Sequence, residues 1–353
     1  KDISEKTNQE IIPIIKGAIL REACRNGSVA YVETLVDRKD IYINDGDLGG
    51  RTPLYWTCYK GHVDVVRLLL DNKEIQINQG NEDGTTPLFL ACQENHVDVV
   101  NLLLARKEIQ INQVGKDVMT PLFVACQQGQ VDVVRLLLAR KEIQINQAPG
   151  EDRQTPLFLA CQENHVDIVK LLLARKEIQI NQARKDGITP LYSACYWDNV
   201  DVVKLLLAHK DIDVNQARKD GATPLLITCS MGRADVVRLL LAKKEIKINQ
   251  ANAGGFTPLF VTCKKGHVDV VRLLLAQPRI KINQAANRGQ TPLIVSSASG
   301  HVAVVRLLLA RNAKVNKTQW QGATALDLAI QKGYSQIADI LRRNGGRAFK
   351  YRE

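Results

Sequence analysis

The dipeptide Thr-Pro recurs at Thr52, Thr86, Thr120, Thr155, Thr189, Thr223, Thr257 and Thr291, with Thr324-Ala325 as a ninth, weaker copy. The period is 34 residues, broken once by 35 and once by 33. A fixed period in this range constrains the fold more tightly than composition does. A unit that short cannot bury its own apolar face and must stack on its neighbours. Length alone, at 353 residues, would predict two or three globular domains. Repetition replaces that expectation with one elongated domain.

Within each unit, Thr suits an N-cap and Pro suits the first helical position, where its missing N–H has no intrahelical partner to lose. A helix is therefore predicted to start at each Thr-Pro. It is predicted to stop about nine residues later, at Gly61, Asn95, Gly129, Asn164, Asp198, Gly232, Gly266, Gly300 and Gly333, residue types that tolerate the left-handed conformation. A second helix then opens with an acid in its first turn, as in Val63 to Leu70, and most copies end in cations such as Arg106-Lys107. Both charges suit the helix dipole. The remainder, for example Glu177 to Gly187, is alternating and turn-rich, so it reads as a hairpin-like connector.

These motifs, Asp-Gly-x-Thr-Pro-Leu, Gly-His-x-Asp-Val-Val-x-Leu-Leu-Leu and Asp213-Val214-Asn215, resemble the ankyrin repeat over nearly the whole chain. Ala18-Ile19-Leu20, with Cys24 and Leu35 in register, forms a degenerate first copy and brings the number of repeats to ten. The chain departs from the family where His usually follows Thr-Pro-Leu: Tyr55, Phe89, Phe123, Phe158, Tyr192, Leu226, Phe260 and Ile294 stand there instead. The resemblance implies an all-α fold, a right-handed ankyrin-repeat solenoid of stacked helix-turn-helix pairs with protruding β-hairpin-like loops and first helices lining a groove. The boundaries expected are an N-terminal cap or arm over 1–16, repeats over 17–345 and a basic tail over 346–353.

The N-terminal segment carries Ile11-Ile12-Pro13-Ile14-Ile15, read as an apolar strip that caps the first repeat. The tail from Arg347 to Arg352 reads as a solvated end. No apolar run approaches the ~20 residues of a bilayer-spanning helix. The eight cysteines fall one per repeat, at Cys24, Cys58, Cys92, Cys126, Cys161, Cys195, Cys229 and Cys263, with Ser297 in the ninth. Neighbouring helices pack ~8–10 Å apart, too far for a disulfide. Buried small thiols suit a reducing compartment, so a cytoplasmic protein is expected, with the nucleus as the other choice.

Pairs such as Cys92 and His96, Cys161 and His165, and Cys263 and His267 have ligand-like spacing, but an inward Cys and a His in the turn cannot converge on one metal. These His are expected to hydrogen-bond locally. The acids Asp64, Asp98, Asp132, Asp167, Asp201, Asp235 and Asp269 recur once per repeat, which capping requires and a single active site does not. With no phosphate loop, nucleophile elbow or paired-carboxylate pocket, the sequence predicts no catalytic residue, no metal site and no cofactor.

Function is then expected at surface positions, and the resemblance implies a scaffold or adaptor that binds a protein partner through the groove and loop tips. The groove candidates, seven and eight residues after each Thr, are Tyr59 and Lys60, Gln93 and Glu94, Gln127 and Gln128, Gln162 and Glu163, Tyr196 and Trp197, Met231, and Lys264 and Lys265, joined by Phe256. Trp197 leads because large exposed aromatics concentrate binding energy. Its competing role is to fold with Tyr196 over an imperfect turn at Asp198. A second reading is electrostatic. In the repeats over 242–317, Lys243 to Lys317 hold thirteen bases against two acids, a net charge of +11 that equals that of the whole chain. Helix C-termini account for part of this, and the rest points to an acidic partner. Nucleic acid is disfavoured because no base-stacking platform interleaves the charge. The remaining alternative is that the repeats belong to a larger enzyme or channel.

Overall fold

The structure is a computed structural model that describes residues 2–115 and 118–349, with side chains from residue 14 onward. The described residues form twenty α-helices and one short 3-10 turn, with no strand among them. The helices pair off into ten repeats, five in each of two compact units, Lys1–Gln179 and Ile180–Glu353.

The second repeat shows how a unit folds. Thr52 is extended, with its hydroxyl accepting from the Tyr55 N–H at 3.1 Å, and Pro53 opens the helix Pro53–Lys60. The same Thr cap starts the first helix of every repeat from the second to the tenth. Each cap of this kind contributes about 1 kcal/mol. Gly61 then turns left-handed at φ 75°, and the second helix runs Val63–Asp71. Asn95, Asn164 and Asp198 adopt the same left-handed φ without being glycine, as their residue types allow. The recurrent acid sits in the first turn of the second helix, where Asp167 and Asp201 also pair with Lys170 and Lys204 one turn later.

Packing follows from the spacing of apolar residues. Within the second helix of repeat two, Val65, Val66, Leu69 and Leu70 face inward and are buried, while Arg67 faces out. In each unit, first helices pack on first helices and second helices on second helices. The one-per-repeat cysteines lie fully buried on the inner side of the first helices, all eight as free thiols. Burial raises every one of them: Cys24, Cys195 and Cys229 reach about 12 and the others go higher. Desolvation of the thiolate is the cause. Ser297 takes the same position in repeat nine, and its buried hydroxyl meets no hydrogen-bond partner.

Within the units, three hydrogen-bonded ladders tie neighbouring repeats together. In the first, a connector Asn reaches across one repeat. Asn44 Nδ2 donates to the Glu74 carbonyl at 2.7 Å, and its Oδ1 accepts from the Gln76 N–H at 2.8 Å. Asn78, Asn112 and Asn146 continue this in the first unit, and Asn181, Asn215 and Asn249 in the second. In the second ladder, Arg106, Arg140, Arg175 and Arg311 donate to the last carbonyls of the preceding repeat's second helix, at Leu70, Leu104, Leu138 and Leu275. The cations expected to favour their own helix ends thus cap a neighbour's as well.

The third ladder corrects the expectation that the His residues bond locally. His96 Nε2 lies 3.1 Å from the Tyr59 carbonyl of the previous repeat. His62, His165, His267 and His301 do the same to Arg25, Gln127, Ser230 and Lys264. Each ring sits over the left-handed glycine of that previous repeat, so a Cβ on Gly61 would fall 2.5 Å from His96 Nδ1. Where the left-handed residue is not glycine the partner changes: Gln130 reaches the Gln93 carbonyl next to Asn95, and Arg233 pairs with Asp198 at 3.5 Å.

Both ends differ from expectation. The helix Asp2–Arg25 runs from the N-terminal segment straight into the first repeat, and Ile14 and Ile15 are 56% and 53% exposed, so this part of the strip does not pack as a cap. The side chains of Ile11, Ile12 and Pro13 lie outside the described residues. At the other end, Arg347 to Phe349 fold back instead of trailing into solvent. The Phe349 N–H donates to Asp327 Oδ1 at 3.1 Å, and Asp327 is fully buried in a capping box with Thr324. Lys350, Tyr351 and Arg352 lie outside the described residues.

Candidate functional site

In the first unit, five of the expected groove residues, Tyr59, Lys60, Gln93, Gln127 and Gln128, line one cleft with a volume of about 730 Å³. The same cleft is lined by Trp56, a residue that the groove positions did not include. Trp56 lies between two guanidinium groups, Arg25 and Arg51, each 4.8 Å from its ring centroid. Its Nε1 donates to Asp47 Oδ2 at 3.3 Å. Tyr55 and Tyr59 meet it edge to face at 5.8 and 6.1 Å. Burial opposes ionisation of Asp47, yet the Arg51 guanidinium and the N–H groups of Arg51 and Gly49 hold its carboxyl below the usual range. Asp47 therefore stays charged and fixes both Trp56 and Arg51.

With two guanidinium groups over the half-buried indole and Tyr59 and Lys60 beside it, the cluster presents cations that suit carboxylates of a partner. Glu94, Gln162 and Glu163 stand apart from the cleft. Gln93 donates to Glu94 at 2.9 Å and Gln162 to Glu163 at 2.8 Å, so these are paired polar positions along the same face. Gln128 is held by Gln130 at 2.7 Å.

In the second unit, Tyr196 and Trp197 pack edge to face at 5.1 Å and remain 38% and 56% exposed. Asp198, left-handed at the end of their helix, pairs with Arg233. Met231, at the equivalent place one repeat on, is exposed. Phe256 is half-buried and stacks on the fully buried Phe260 at 5.0 Å, with Lys264 Nζ 5.9 Å from its ring. Phe256 thus supports its own repeat, while Lys264 and Lys265 project from the end of the first helix. Among the described residues no three His, Cys, Asp or Glu gather as a metal cluster, and no helix is long and apolar enough to cross a membrane.

A family model for ankyrin repeats matches residues 20–114, 74–148, 122–218, 210–286 and 279–349. The chain belongs to the ankyrin-repeat family. The resemblance seen in the motifs thus extends from the first degenerate copy to the folded-back tail. No curated protein matches the sequence. Ankyrin repeats are in general protein–protein interaction modules and are typically non-catalytic. Their scaffold leaves the exposed side of the first helices and the loop tips free to vary, and this chain varies there.

The Trp56 cluster had a signal in the sequence. Three aromatics, Tyr55, Trp56 and Tyr59, crowd one eight-residue helix, and Arg51 directly precedes its cap. What the sequence did not show is the contribution of Arg25 from the preceding repeat, which only the stacking brings within reach.

Proposed function

We propose that this ankyrin-repeat protein is a non-catalytic scaffold or adaptor of the cytoplasm that binds a partner protein through exposed first-helix positions. The half-buried Trp56 and Tyr59 are the anchors at the cleft of the first unit, and the exposed Tyr196, Trp197 and Met231 those of the second. The observation that carries this reading is Trp197, which meets the exposed Tyr196 edge to face and is itself more than half open to solvent. Large exposed aromatics concentrate binding energy when a partner desolvates them. Lys264 and Lys265 stand on the rim, where charge mainly governs the association rate.

Affinity capture from native extract, with nuclease present, tests this reading. A partner held by these anchors stays bound after nuclease treatment and is lost from the double variant Trp56→Ala and Trp197→Ala. Partners captured equally by the double variant, or released by nuclease, would contradict it.

A further inference from the structure

The Asn ladder fixes which residues occupy equivalent rungs, because each Asn Oδ1 accepts the N–H of one residue in the following repeat. In the first unit those residues are Gln76, Gln110, Gln144 and Gln179. In the second unit the series is Asp213, Lys247, Lys281, Lys314 and Arg347. Four successive rungs therefore carry a cation, and all four side chains are exposed. Among the described residues none of the four has a carboxylate partner. Arg140 and Arg175, near the connectors of the first unit, pair with Glu142 and Glu177, the latter at 2.7 Å, as Arg218 does with Asp220 in the second. On the second unit Glu245 lies beside Lys247, Asp213 closes the column at one end, and at the other the buried Asp327 is engaged by Thr324 and the Phe349 N–H. Beside Lys247, a hollow of about 440 Å³ opens between Lys244 and Arg279, two further cations.

Helix C-termini explain Lys and Arg at the ends of helices, but these four residues lie beyond the helices, on connector rungs that are neutral in the first unit. We propose that the connector side of repeats seven to ten is a docking surface for an extended acidic polypeptide segment, held by Lys247, Lys281, Lys314 and Arg347. The spacing selects this partner. Stacked helices lie ~8–10 Å apart, and an extended chain advances ~3.3 Å per residue. An acid at every third residue thus meets one cation per repeat. A nucleic acid, with one phosphate per ~3.4 Å of each strand, would leave most of its charge unanswered by one cation per rung, and among the described residues the connectors between these rungs expose one aromatic ring, Trp320, too few to stack successive bases. The surface is distinct from the groove anchors, so the two readings stand or fall separately.

The test uses the whole chain and a fluorescent peptide of about a dozen residues with Glu at every third position and Gly or Ser between, following the spacing argument above. The variant Lys247→Gln, Lys281→Gln and Lys314→Gln installs at each rung the residue that the first unit already carries, so its denaturation curve should match that of the parent. At low salt the parent should bind the spaced peptide roughly tenfold or more tightly than the variant, with most of the difference lost above ~0.2 M salt. An isomeric peptide with its Glu residues in one block should bind more weakly, and Trp197→Ala should leave spaced-peptide binding unchanged. Equal binding by parent and variant, no preference for the spaced peptide, or displacement of the peptide by single-stranded DNA at lower charge equivalents would each overturn the proposal.

Discussion

Gly61 and His96 are 35 residues apart in the chain and share one constraint. The turn needs φ of 75°, and the His ring leaves no room for a Cβ. Gly61→Ala should therefore cost more than the ~1–2 kcal/mol of left-handed strain alone, whereas Gly333→Ala, with open space around its Cβ position, should cost no more than that strain. Urea denaturation of both variants checks the difference. The chain supplies its own remedy in Asn95 and Gln130, so Gly61→Asn with His96→Gln should recover much of the loss. Ser297→Cys should stabilise by roughly 1 kcal/mol, since it replaces a buried hydroxyl without a partner by the thiol used in the other repeats. The thiols themselves set a pH limit. Their folded pKa values lie at about 12 or above against an ordinary 9.0, so their stabilising effect is whole below about 9 and is lost as pH rises towards 12. Melting temperature should fall steadily through that window, and the native chain should resist thiol reagents at neutral pH. The glycines and caps were legible in the sequence because φ preference and capping are local. The match of Gly to His was not, because its reason lies one repeat away.

At the level of elements, both helices of repeats two to eight could be placed from sequence, since Thr-Pro, the left-handed residue and the first-turn acid mark their ends within a few residues. The ladders could not be placed, because an Asn side chain that bonds some thirty residues ahead shows its role only after stacking. Asn215 donates to the Glu245 carbonyl at 3.0 Å and accepts from the Lys247 N–H at 2.8 Å. Asn215→Ala should cost roughly 1–3 kcal/mol by leaving both backbone groups short of a partner. Amide exchange at Lys247 should accelerate while exchange in the first unit stays as it was. Equal acceleration in both units would show that the ladder is not the local clasp described here. At the N-terminal helix the described part of the apolar strip misled because Ile14 and Ile15 face solvent despite their type.

For the molecule as a whole, repetition identifies function by exception. Residues that recur, the capping Thr, the inner Cys and the Val-Val and Leu pairs, are buried and serve the stack. Residues that break the pattern, Trp197, Met231 and the cationic rungs, are exposed, and Trp56 is half-buried at the edge of a cleft. The Gln and Glu pairs, Tyr196-Trp197 and the lysines were visible as variable positions, but the sandwich of Trp56 between Arg25 and Arg51 needed two repeats side by side. Because repeats couple mainly to neighbours, Leu206→Ala, which empties a fully buried site, should cost roughly 2–5 kcal/mol and broaden or split the denaturation curve. A single sharp transition displaced by the full amount would mean stronger cooperativity than neighbour coupling allows. The division between scaffold and surface is tested most directly by measuring partner affinity and melting temperature together for Trp197→Ala. The account predicts binding weaker by roughly 2 kcal/mol or more with the melting temperature unchanged; a lowered melting temperature with affinity intact would contradict it.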